Sequence, residues 1–189
     1  MQSHKKEIPF YKQTETGYCH PACVKMVLDF AIEDMGIKQR RMSLSSIARV
    51  LRTNKISGTI RENIELINAE LEDSVPRIHF YSRVSARFDD IKDEIDSCRP
   101  VIAWINIAPS KEDTVMHAVV IVGYDLQQNE IFLVDPEMTQ ENHEKHMDLG
   151  MFLDEKLGVE GRIIVLSVSE IGQKHLNGRI TPYQRRRNS

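Results

Sequence analysis

The sequence predicts an α+β fold, with helices filling the first half of the chain and an antiparallel sheet the second. Three observations carry this. Residues 20–33 are apolar almost all round, the mark of a helix buried within a protein. Apolar runs at 101–105, 116–124, 130–134 and 162–168 gather in the second half and read as strands. The runs at 116–124 and 130–134 are joined by the polar stretch DLQQN, a hairpin signal that makes the sheet antiparallel.

The helices follow in order. In the first, Pro21 falls in the opening turn, where its missing N–H costs nothing. Ser43 is placed to cap a second helix running to about Arg52. Ile60, Ile64, Ile67 and Leu71 recur at amphipathic spacing over 60–72, and Phe88, Ile91 and Ile95 do the same over 87–98. Pro100 then ends the helical half. The run 116–124 is apolar on both faces and belongs at the centre of the sheet.

At 189 residues, 41% hydrophobic and 28% charged, the chain can bury a core without staples. No repeat or Gly/Ser linker divides it, so one domain over 1–182 is expected. The basic residues 183–189, with Arg185, Arg186 and Arg187, read as a disordered tail. A net charge of −3 asks for neither nucleic acid nor an anionic membrane. No apolar run approaches the roughly 18 residues of a membrane span, and no signal peptide is legible. Three cysteines are too few and odd in number for a disulfide framework. Cys19 and Cys23 lack a second pair to complete a zinc site, so no metal or other cofactor is expected. Free thiols suit a reducing cytoplasm, with signal-independent secretion left open.

Cys19 is the sharpest chemical signal. It stands at the start of the buried helix, where the dipole and free N–H groups favour a thiolate. Burial as a plain core cysteine is the competing reading. Cys23, one turn on, and Cys98 read as structural. A thiol nucleophile needs a base beside it. Of seven histidines, His117 opens an apolar strand after the polar loop SKEDTV, at a sheet rim. Asp135 closes the next strand before Pro136. A hairpin centred on Leu126 would set Asp135 directly opposite His117, on the same face and about 4.5–5.5 Å apart at Cβ. A carboxylate there can hold the imidazole tautomer; a turn-forming Asp-Pro is the plainer alternative. Gln13, six residues before Cys19, is placed to donate to an oxyanion. His143, His146 and Asp148 lie in the polar string TQENHEKHMD, which does not have zinc-protease spacing and reads as a solvated loop. His20 points away from its neighbour Cys19.

Together these residues resemble the papain-like cysteine peptidases, above all the bacteriocin-processing peptidases that cleave double-glycine leaders and their stand-alone relatives. The string IPFYKQTETGYCHPACVKMVLDF is similar to that family's opening, and SLSSIARVLRTNKISGTIRENIELINAEL to the helical stretch that follows. RPVIAWINI resembles the strand before the catalytic histidine, HAVVIVGYDLQQNEIFLVDPE the His-to-Asp-Pro segment, and MFLDEKLGVEGRIIVLS, more weakly, the closing strand. The resemblance implies a papain-like fold, a helical half packed on an antiparallel sheet. It implies Cys19 as nucleophile, His117 as base, Asp135 as orienter and Gln13 as oxyanion residue. It also implies a peptide or protein substrate, such as a leader peptide, while the lack of a long apolar run is what argues against membrane insertion by this chain. His20 stands where glycine is usual, and a larger side chain there would narrow the cleft. Hydrolysis, acyl transfer through the same thioester, and a catalytically silent binding module all remain open.

Overall fold

A computed structural model describes residues 3–108, 114–157 and 161–168. The boundary expected at 182 and the tail at 183–189 lie outside the described residues.

The elements run β1 (Ser3–Lys5), α1 (Cys19–Glu33), α2 (Leu44–Val50), a 3-10 turn (Arg61–Asn63) leading into α3 (Ile64–Glu70), β2 (Ile78–Arg83), α4 (Phe88–Asp96), β3 (Val101–Asn106), β4 (Met116–Asp125), β5 (Glu130–Val134) and β6 (Glu144–Asp148). A short α5 (Leu149–Met151) passes into a π-helical turn (Phe152–Leu157) before β7 (Ile163–Val168). The strands form one sheet in the order β2-β7-β3-β4-β5-β6, every described pairing antiparallel. β4 is central, as its apolar faces require. β3 pairs with residues 116–121 of β4, and β1 takes over beyond it, pairing with 123–125.

Helices cover both faces of this sheet. On one side α1, α2 and α3 bury Met26, Leu28, Ile47, Ile64 and Ile67 against Ile102, Val120 and Leu166. On the other, α4 and the segment after β6 bury Ile91, Ile95 and Phe152 against Val101, Ile121 and Val165. Each fully buried aliphatic side chain is worth roughly 1.5–3 kcal/mol, so both layers hold the sheet. The α+β, papain-like architecture expected from the sequence is the one observed.

The differences in detail have local causes. α2 is capped as expected, with Ser43 Oγ accepting from Ser46 N–H at 3.1 Å. In the 60–72 segment Ile64, Ile67 and Leu71 are buried, but Ile60 is 65% exposed, because helix begins only after it. The segment 144–148 is a strand and not the solvated loop expected. It is the sheet's edge, with neither face fully covered, so its polar composition hides its pairing with β5. β1 and β2 have no counterpart in the sequence reading.

Candidate active site

α1 delivers its first residue, Cys19, to the rim of the sheet beside β4. Gly17 makes the entry, with φ +82. A side chain there would bring Cβ to 2.8 Å from the Gly58 backbone, so the approach to Cys19 is packed backbone on backbone. Tyr18 provides no side-chain cap, which leaves the positive end of the helix dipole facing the thiol. Cys19 itself is 8% exposed.

His117 is buried on β4, and its Nε2 lies 2.7 Å from Asp135 Oδ1. The other ring nitrogen is thereby left unused by Asp135, and the Cys19 thiol lies close enough to raise the ring's basicity. Burial pulls the imidazole down. The hydrogen bonds to Asp135 and Cys19, with their charges, outweigh burial and push it up to about 9. Asp135 moves the other way. Burial would raise its carboxyl, but bonds from His117, Lys145 and the Glu137 N–H hold it well below the ordinary range. Cys23, fully buried one turn along α1, has its thiol driven far up by burial, by Cys19 and by Asp135.

The structure brings His117 and Asp135 together on one face, but not by direct opposition. The ladder pairs Asp125 with Glu130 and Tyr124 with Ile131, so the turn is Leu126 to Asn129 and is not centred on Leu126. Continued straight, that register would set Asp135 opposite Val120, on the face away from His117. A bulge between Ile121 and Gly123 shifts the pairing to Val120 with Val134. Asp135 then falls opposite Val119, two residues from His117 and on its face, and reaches it diagonally.

Gln13 arrives from a different direction. Its backbone N–H donates to Pro136 O at 2.8 Å, tying it to the loop that carries Asp135. Its side-chain Oε1 is buried without a hydrogen-bond partner. The strap it belongs to is pinned on α1 by Tyr11, whose hydroxyl donates to Asp29 Oδ2 at 2.6 Å, beside Lys25 Nζ at 2.8 Å. Burial and that carboxylate push the Tyr11 hydroxyl up to about 12.

His20 does not narrow a cleft. It is fully buried, its ring edge-on to Trp104 at 5.0 Å, with neither nitrogen hydrogen-bonded. The helix turns it inward onto β3, and burial lowers it to about 3. His143 and His146 serve packing, against Phe10 at 4.4 Å and Phe132 at 4.5 Å. Among the described residues the side chains close enough to share a metal ion are His117, Asp135 and Glu137. The ammonium of Lys145 already holds the cation position on Asp135 Oδ2, at 2.6 Å. Lys145 is what the sequence reading missed, hidden in the segment taken for a loop.

A thiol at a helix start, a carboxylate-bound imidazole and an amide on an adjoining loop have the makings of nucleophilic acyl chemistry. A family model, the Peptidase_C39 like family, matches residues 5–156. The chain belongs to this family. Membership in the Peptidase_C39 like family points to a cysteine peptidase, the enzyme class expected from the sequence. Three solved structures share the fold. One is a double glycine motif protease from an AMS/PCAT transporter in complex with the leader peptide, 14% identical, TM-score 0.61, covering 89% of this chain and 99% of that one. Another is a C39-like peptidase from Bacillus anthracis, 14% identical, TM-score 0.66, with the same coverage. The third is xylellain, a cysteine protease from Xylella fastidiosa, 15% identical, TM-score 0.65, covering 89% and 86%. No curated protein is similar enough in sequence to match. No helix among the described residues is long and apolar enough to cross a membrane.

Proposed function

We propose that this Peptidase_C39-like chain cleaves peptide bonds through a Cys19–His117–Asp135 triad and a thioester on Cys19. The observation that carries the reading is the buried 2.7 Å bond between His117 and Asp135, with the Cys19 thiol close enough to act on the same imidazole. Asp135 fixes the ring and steadies its charged form, so that His117 can take the thiol proton. The thiolate attacks the carbonyl carbon. The resulting oxyanion is held by the Gln13 side-chain amide and the N–H at the start of α1. His117 then gives its proton to the departing amine, leaving the acyl group on Cys19. Water, activated by the same imidazole, releases the acid and restores the thiol.

The substrate is a peptide segment, and the fold shared with a leader-bound protease favours one of leader type. Acyl transfer would use the same residues with an amine in place of water. The binding-only alternative drew on His20 crowding the nucleophile, and His20 lies in the core.

The pH dependence of iodoacetamide labelling, resolved by mass spectrometry for each cysteine, tests this. Cys98 is exposed and serves as the reference thiol. Cys19 is expected to be labelled faster than Cys98 at neutral pH and to lose that advantage in His117→Ala. A Cys19 that behaves like Cys98, or is indifferent to His117→Ala, overturns the triad. Product analysis of a cleaved peptide, with and without an added amine, separates hydrolysis from transfer.

A further inference from the structure

Asp135 has two carboxylate oxygens, and the triad uses one. Oδ1 accepts from His117 Nε2 at 2.7 Å and from the Glu137 N–H at 3.0 Å. Oδ2 accepts from Lys145 Nζ at 2.6 Å. The sheet register brings the lysine there. Lys145 pairs with Leu133 across β5 and β6, and opposed residues share a face. Asp135, two residues beyond Leu133, shares that face as well. Imidazole, carboxylate and ammonium therefore form a row across three adjacent strands, on β4, at the end of β5 and on β6.

An exposed lysine–aspartate pair contributes little. Here the acceptor side chain is only 6% exposed, while the lysine on the edge strand is 40% exposed, so the ammonium caps a carboxylate that water hardly reaches. Two effects on His117 follow. The ammonium draws charge off the carboxylate that stabilises the imidazolium, and it repels the imidazolium directly. Burial, Asp135 and Cys19 already place His117 near 9, high for a group that must both take and give a proton near neutrality.

We propose that Lys145 is a positioning residue of this site, fixing the second oxygen of Asp135 and holding down the basicity of His117 through it. The proposal deepens the peptidase reading and rests on it for its consequence in turnover. The other ionisable groups around the pair are Cys19 and Cys23 from α1 and Glu137 from the turn after β5. Among these described neighbours Lys145 is the positive one, so its loss has no substitute. Removing it does not release Asp135 altogether. The Glu137 N–H still holds Oδ1, and the Asp135 backbone N–H still donates to His143 O at 2.9 Å.

The test is an NMR titration of the His117 ring in the full chain, for wild type, Lys145→Met, Lys145→Gln and Lys145→Arg, with circular dichroism to show that each folds. Lys145→Met and Lys145→Gln are expected to raise the His117 pKa by about one unit. Lys145→Arg keeps the charge and should stay within a few tenths of wild type. No change in Lys145→Met overturns the proposal. A fall overturns it too, since Lys145 would then only prop the carboxylate. Lys145→Gln matching wild type also overturns it, by making the hydrogen bond and not the charge responsible. Cys19 labelling runs alongside. If Cys19 proves unreactive the peptidase reading fails, and the titration still judges Lys145.

Discussion

His20 and His117 both lie beside Cys19 and both are removed from solvent, at 0% and 6% relative exposure. Yet His20 stays neutral down to about 3, while His117 keeps its proton up to about 9. Burial lowers each of them. The difference is partners: His20 has an aromatic edge and no hydrogen bond, whereas His117 has a hydrogen-bonded carboxylate and a thiol near enough to act on it. Around this cysteine, burial makes one histidine inert and, with a charge supplied, makes the other basic.

The largest expected effect comes from making His117 resemble His20. In Asp135→Asn the carboxylate charge is gone and burial is opposed by Cys19 alone, so the imidazole should fall well below 9 and its charged form lose its main support. Turnover of a peptide library is expected to drop on the order of 10³-fold or more. A His117 that still titrates near 9 in this variant would break the comparison.

Next in size is Gln13→Ala, which leaves both histidines alone. A loss of about 10²- to 10³-fold in kcat is expected, with Cys19 labelling unchanged. A parallel loss of labelling would mean that Gln13 acts on the thiol and not on the oxyanion.

The smallest effect sharpens the contrast through stability. His20 has a folded pKa below its unfolded value, so only the unfolded chain takes up its proton as pH falls beneath 6.5. Stability is lost in that direction, at about 1.4 kcal/mol per pH unit until about 3. In urea unfolding at pH 7.5 and pH 5, His20→Leu should be spared about 2 kcal/mol of the wild-type loss. His117 has the opposite sign. Its folded value is raised, so its contribution is complete below 6.5 and fades as pH climbs through 9. In His117→Ala that alkaline loss should disappear from urea unfolding carried from pH 6 to pH 10, and the same pH dependence in wild type and variant would sink the assignment.

Much of this was legible in the sequence. Cys19, His117 and Asp135 each sit at the end of an element with strong local signals: an all-apolar helix, an apolar strand, a strand closed by Asp-Pro. What escaped depends on distant partners. The bulge at Val122 leaves no local mark, because an apolar valine suits a straight strand equally well. Lys145 lies in an edge strand whose polar alternation resembles a loop until β5 is beside it. The inward turn of His20 is settled by Trp104, 84 positions along the chain, which no local pattern reports.

Gly123 carries a consequence for handling the protein. A Cβ there would lie 2.1 Å from His4 O, so β1 fits on β4 only because this position is bare. With Lys6 bonded to Val122 O, β1 shields the part of β4 that β3 leaves open. That stretch is a ready template for another strand. A chain trimmed to begin at residue 7 would leave the bulge and the site residues in place and stick to copies of itself. Its earliest symptom would be turbidity and a rising light-scattering signal, well before any catalytic defect.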